Sequence, residues 1–158
     1  MVKIENPLFL SLYAQWVDKV LAETSNIDEA NQRLRDMGRE MGSNLYLTTE
    51  LASKTKDTVM TREDVAKLID NIYRLLFDRR PTDIDMKSAR GSVRVADKDC
   101  IWCQDITLEG MRGFGYCEAF SGILEVILEF KGVDAKVFQE LCKATGADNC
   151  TWNIRLVQ

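Results

Sequence analysis

Hydrophobic residues recur at helical spacing through the first half of the chain, and the pattern turns to alternation in the second half. Phe9, Tyr13, Trp16, Val17, Val20 and Leu21 fall three or four apart or side by side, as on one helix face. Asn6 followed by Pro7 offers a cap and a proline at the first helical position, where no hydrogen bond is lost. The polar run Glu23-Thr24-Ser25-Asn26 closes this helix. A second helix is predicted from about Asp28 to Leu51, with Leu34, Met37, Met41 and Leu45 along one side. Gly38 and Gly42 sit four apart on nearly the same side. Each interior glycine costs about 1 kcal/mol relative to alanine, so close approach of another backbone is the expected compensation. Thr61 and Asp64 form a capping-box pattern ahead of a third helix. Its stripe is Val65, Leu68, Ile69, Ile72, Leu75 and Leu76, and Arg79-Arg80-Pro81 ends it.

From Pro81 the period becomes two. Ile84 and Met86, then Val93 and Val95, alternate with polar residues and predict two short strands. The stretch from Asp97 to Gly115 reads as a loop broken by Gly110, Gly113 and Gly115. A fourth helix is predicted over Tyr116 to Phe130, with Phe120, Ile123, Leu124, Ile127 and Leu128 inward and Gly132 as its stop. The tail reads as a strand from Ala135 to Ala144, a turn at Gly146, and a strand from Cys150 to Val157. The predicted class is α/β of the α+β kind, in the order ααα-ββ-α-ββ. Helices pack on one face of a roughly four-stranded antiparallel sheet. With 158 residues and no linker or repeat, one domain spanning 1–158 is expected.

Composition narrows the chemistry. Histidine is absent, which removes Ser–His and Cys–His dyads and leaves only sulfur or oxygen to hold a metal. The net charge of −4 comes with acids and bases mixed along the chain and no basic patch, so no nucleic-acid partner is expected. No run of about 18 apolar residues is present, so no membrane span is expected. The N-terminus lacks the pattern of a signal peptide. A cytoplasmic location with reduced thiols follows as the expectation.

The five cysteines, Cys100, Cys103, Cys117, Cys142 and Cys150, all fall in the last third of the chain. Cys100 and Cys103 form a CxxC, a spacing that turns two thiolates toward one ion. Cys117 opens the fourth helix, where the helix dipole favours a thiolate. Cys142 and Cys150 flank the predicted hairpin turn symmetrically about Gly146 and face each other if the strands pair in that register. Such a donor set suits zinc, while free cysteine also serves as a small buried apolar residue. Spacing alone does not say which four of the five would meet an ion. A thioredoxin-type role for the CxxC lacks its βαβ context.

Several stretches together resemble a known superfamily. Leu12-Tyr13, then EANQRLRDMGREMGSNL from Glu29 to Leu45, resemble the asparagine, leucine, Met-Gly and second-glycine pattern of the small subunits of the TRAPP vesicle-tethering complex. Tyr116-Cys117-Glu118-Ala119-Phe120-Ser121-Gly122 is similar to the motif opening the last helix in that group and in its prokaryotic relatives, the 4-vinyl reductase-type ligand-binding domains. Leu141-Cys142 and Cys150-Thr151-Trp152 resemble the hairpin of the prokaryotic, archaeal branch. In that branch the resemblance implies zinc on the cysteines matching Cys117, Cys142 and Cys150, with a glutamate three residues before the second. Gln139 stands there in this chain, and Cys103 or Cys100 are the candidates to replace it.

The TRAPP branch implies a homodimer through the N-terminal helices and an apolar tunnel for an acyl chain. The cysteine acylated in that branch lies just after the second helix, and 51–58 contains none here, so acylation is not carried over. Phe114, Tyr116, Phe120, Leu124 and Trp152 are the candidates to line a pocket for a hydrophobic small molecule, and equally ordinary core residues. The leading expectation is a non-enzymatic binding or scaffold module with a cysteine-held zinc. The alternatives are an assembly subunit of a TRAPP-like tethering complex without ligand, and a 4-vinyl reductase-type enzyme. Nothing in the sequence supports hydride transfer: no GxGxxG follows a strand, and the glycine-rich run at 110–115 lacks a phosphate-loop Lys-Ser/Thr.

Overall fold

A computed structural model describes residues 7–54, 59, 61–88 and 90–157; the predicted cap at Asn6 lies outside them. The helices are α1 (Pro7–Glu23), α2 (Ile27–Thr48), a single turn α3 (Leu51–Lys54), α4 (Arg62–Phe77) and α5 (Glu118–Phe130). The strands are β1 (Asp83–Asp85), β2 (Ser92–Asp97), β3 (Ala135–Leu141) and β4 (Cys150–Leu156).

Local chemistry sets the boundaries. Asn26 caps α2 by accepting the Glu29 N–H at 2.8 Å. Thr61 and Asp64 make the reciprocal capping box at the start of α4, at 3.1 and 3.3 Å. α4 ends before Arg79, because Asp78 takes the left-handed conformation at φ 59° and its N–H returns to the Arg74 carbonyl. α2 stops at Thr48 rather than running to Leu51. The Thr49 hydroxyl donates to the Leu45 carbonyl, closing the helix with a side chain in the manner of a serine or threonine back-bond.

The sheet has the order β1-β2-β4-β3, and every neighbouring pair is antiparallel. β4 is therefore flanked on both sides, and Cys150 through Ile154 are all buried. The predicted strand to Ala144 is shorter: β3 ends at Leu141, and Lys143–Thr145 turn as a 3-10 helix. An irregularity between Gln139 and Leu141 shifts the register, and the ladder ends at Leu141 opposite Thr151. Cys142 and Cys150 thus sit one step beyond the last ladder pair.

α5 lies on one face of the sheet and is covered in turn by α2. Their crossing explains the glycines. A Cβ at Gly38 would stand 1.8 Å from the Ala119 carbonyl oxygen, and one at Gly122 would stand 2.0 Å from the Arg35 carbonyl oxygen. At Gly42 it would meet Val126 at 2.4 Å and the Ile123 Cα at 2.9 Å. The backbone that the glycine pair admits belongs to this chain's own α5. Arg39 reaches Glu125 and Glu129 at 2.6 Å each along the same seam, and Arg35 pairs with the buried Glu118. Among the described residues, no helix is long and apolar enough to cross a membrane.

Candidate metal centre

Four of the five thiols converge. Cys100 and Cys103 come from the loop after β2, Cys117 from the residue before α5, and Cys150 from the first position of β4. Their sulfurs all lie within 4.8 Å of one another, and all four residues are buried. The Sγ separations are 3.6 Å for Cys100–Cys117, 3.5 Å for Cys103–Cys150 and 4.0 Å for Cys117–Cys150. A tetrahedron of sulfurs about 2.3 Å from a central zinc has edges of about 3.8 Å. The observed spacings bracket that value. A polynuclear iron–sulfur cluster interposes several metal atoms between its thiolates, and this set is too tight for one.

Cys142 is also buried but lies outside the set of four. Its thiol still interacts with the others: Cys103 pushes it up, and Cys117 and Cys150 together bring it below its ordinary value. Burial pushes the Cys117 thiol well up, which outweighs the dipole benefit expected at a helix start. Cys103 is drawn down by hydrogen bonds, from Cys100 first, and Cys150 is driven up by Cys100 and Cys103. Thiols packed this closely away from water cannot all ionise against one another. A bound cation lets them do so, and sulfur donors with no histidine select a soft or borderline ion such as zinc.

The surroundings hold each sulfur in place. Asn31 of α2 accepts the Gly115 N–H at 2.8 Å and donates to the Gly113 carbonyl at 3.0 Å, pinning the loop ahead of Cys117. The Tyr13 hydroxyl of α1 donates to the Tyr116 carbonyl. The Cys117 N–H donates to the Gln139 side-chain oxygen at 2.9 Å, so Gln139 supports the thiol cluster from behind Cys117. Glu118 accepts from Arg35, from the Ser121 hydroxyl and from the Gln139 N–H. The Lys143 N–H points at the Cys150 sulfur at 3.4 Å, a contact that favours a thiolate.

Sequence reasoning missed Arg79 and Asp97. Asp97 is 2% exposed, and Arg79 grips it with two bonds of 3.0 and 2.6 Å. Arg79 also donates to the Asp99 carbonyl at 2.9 Å, fixing the chain just before Cys100. The sequence signal was faint: an arginine two residues before Pro81 and an aspartate at a strand end, eighteen residues apart.

The five aromatic and aliphatic candidates are all buried. Phe120 meets Trp152 edge-on at 5.1 Å, and Tyr116 meets Tyr13 at 5.5 Å. Leu124 is inside with them. Phe114 lines a cavity of about 390 Å³ that it shares with Leu141 and Cys142. Trp102, between the cysteines of the CxxC, joins Phe9, Tyr13 and Phe120 in the same aromatic cluster.

No curated protein sequence matches this chain. Among solved structures, a trafficking protein particle complex subunit 3 from Naegleria fowleri, covalently bound to palmitic acid, superimposes with a TM-score of 0.83 at 17% identity, covering 96% of this chain and 94% of that one. That likeness shows a shared fold. A vinyl-4-reductase family protein from Methanocaldococcus jannaschii reaches a TM-score of 0.48 at 17% identity, covering 98% and 83%. An H-NOX protein mutant from K. algicida reaches 0.49 at 14%, covering 95% and 93%. The family model for the transport protein particle (TRAPP) component matches residues 9–157, nearly the whole chain, and the chain belongs to that family.

Proposed function

We propose that this chain is a non-catalytic binding and scaffold subunit of the TRAPP type whose C-terminal half is fastened by one zinc ion held by Cys100, Cys103, Cys117 and Cys150. The observation that carries the reading is the convergence of four buried sulfurs within 4.8 Å, with spacings suited to a mononuclear tetrathiolate. When bound, the ion supplies a closed, structural cross-link with no position left for substrate. The protein's part is to present four thiolates from three separate segments and to shield them from water. Free thiols in such numbers suit a reducing, cytoplasmic setting.

Self-association through the N-terminal helices belongs to the same reading. Leu8, Leu12 and Trp16 recur every four residues on α1 and are 64%, 48% and 49% exposed. That row supports an apolar face able to meet a second subunit. For an apolar ligand the support rests on Phe114 and its cavity; an acyl chain among Tyr116, Phe120, Leu124 and Trp152 would have to part packed rings.

Elemental analysis of protein purified without chelator tests the metal. About one zinc per chain is expected. Cys117→Ser and Cys150→Ser should lose it, and Cys142→Ser should retain it. Wild-type chain that folds and carries no metal sinks the reading.

A further inference from the structure

The set of four has an inner and an outer half. Cys117 and Cys150 are 0% exposed, whereas Cys100 and Cys103 are each 4% exposed and form part of the wall of a cavity of about 690 Å³. The rest of that wall is largely polar, with Arg79, Asp99, Gln104, Asp105, Thr107 and Lys143. It is unsuited to an acyl chain and suited to a small, water-like reagent. Each outer sulfur is within contact of an inner one: the Cys150 sulfur lies 3.5 Å from that of Cys103, and the Cys117 sulfur 3.6 Å from that of Cys100.

We propose that this cavity makes the thiolate centre a peroxide-responsive switch, in which Cys103 is oxidised and Cys150 closes a disulfide on it, dismantling the ligand set. The proposal rests on the metal reading above, since four thiolates are what the reagent meets. A peroxide is the oxidant. The Cys103 thiolate attacks one peroxide oxygen; the S–O bond forms, the O–O bond breaks, and hydroxide leaves and takes a proton from solvent to become water. The Cys150 thiolate then attacks the Cys103 sulfur; the S–S bond forms, the S–O bond breaks, and the second oxygen leaves as hydroxide to be protonated in turn. Two electrons pass from the two sulfurs to the peroxide. Closing the bond draws the sulfurs from 3.5 Å to about 2.05 Å. Cys103 can supply that movement, because it sits in the loop between β2 and α5, outside any helix or strand. Cys103 and Cys150, once joined, no longer serve as ligands, and two thiolates do not hold zinc against solvent. Cys142 lines the Phe114 cavity and its thiol interacts with Cys103 and Cys150, so it is the competing partner that the disulfide map must exclude.

The test uses the full chain as purified, with its zinc content measured first. Hydrogen peroxide is added stepwise in molar excess, zinc release is followed with a chromogenic chelator, and disulfides are mapped by alkylation, proteolysis and mass spectrometry. Release of about one zinc per chain together with a Cys103–Cys150 disulfide is expected, and dithiothreitol with added zinc should reverse both. Cys142→Ser, which leaves the four-thiol set whole, should behave in the same way. Zinc retained throughout, zinc lost while Cys103 and Cys150 both remain alkylatable, or a disulfide formed between other cysteines overturns the proposal. A chain without zinc before any oxidant is added sinks the metal reading and this proposal together. Zinc that is present and insensitive to peroxide sinks this proposal alone.

Discussion

Gln139 illustrates how a side chain can support the thiol cluster without joining it. The family resemblance puts a carboxylate ligand at this position, but its oxygen here accepts the Cys117 N–H, and its amide nitrogen donates to the Leu141 carbonyl at 3.0 Å. One side chain thereby ties the start of α5 to the end of β3. Replacing it by leucine leaves the exposed Leu141 carbonyl to water but strips the N–H of the buried Cys117 of its partner, and a buried group left unsatisfied costs about 1–3 kcal/mol. Gln139→Leu should therefore lower unfolding free energy by that amount in chemical denaturation. It should also weaken zinc binding by about 10–100-fold in competition with a chelator. Gln139→Glu keeps the acceptor and loses the donor, so it should lie between the two. A leucine variant with native zinc affinity would remove Gln139 from the site. Arg79 makes a second case. It pairs with Asp97, which is almost wholly buried, and breaking a buried pair by removing one partner costs about 3–5 kcal/mol. Arg79→Ala should show a loss of that order by thermal or urea unfolding, whereas a change under about 1 kcal/mol would mean the pair acts like a surface bridge.

At the scale of elements, the α2–α5 crossing accounts for a feature that local propensity alone makes costly. Helical spacing revealed the apolar stripes, and the glycine pair pointed to a close backbone. What was not legible was the partner, because nothing within α2 names α5 or shows that Gly122 completes the seam. The same limit applies to the cysteines. Their number and the CxxC pointed to a metal, but the choice of four depends on where the hairpin register shifts, between Gln139 and Leu141, and on how the loop after β2 folds back. Helix ends were misjudged where a side chain or a left-handed residue intervened, at Thr49 and Asp78. The crossing also yields a sharp prediction. An alanine methyl at Gly38 would fall 1.8 Å from a carbonyl oxygen in a helix, and neither backbone can yield without moving its helix. Gly38→Ala should destabilise by about 3 kcal/mol or more, at the upper end of overpacking costs. Helix propensity taken alone would predict a gain of about 1 kcal/mol. The exposed Glu40→Ala on the same helix should stay within about 0.5 kcal/mol. Circular dichroism melts of the two variants decide the matter: a stabilised Gly38→Ala protein would mean the helices stand further apart.

For the whole molecule, the thiol set gathers three segments distant in sequence: the loop after β2, the residue before α5 and the start of β4. The run from β2 to α5 contains no helix or strand, yet it carries Cys100 and Cys103 and ends at Cys117. It is held by Asn31, Tyr13 and Arg79, by the Ala144 carbonyl accepting the Leu108 N–H at 2.7 Å and by Gln139 on the Cys117 N–H, and the thiols draw it onto the start of β4. A ligand that binds the folded state and not the unfolded chain adds about 2.7 kcal/mol at a free concentration 100 times its Kd. For a chain of this size each kcal/mol moves the midpoint by about 2–4 °C. Stripping the ion with a strong chelator should therefore lower Tm by about 5–10 °C, and added zinc should restore it. Hydrogen exchange offers the spatial control. Protection should be lost first between Cys100 and Cys117 and around Lys143, while amides in α2 and the middle of α5, locked by the glycine seam, should change least. Uniform loss across all helices would mean that the ion holds the entire fold. An unchanged melting curve after verified removal of the metal would mean that it holds none of it.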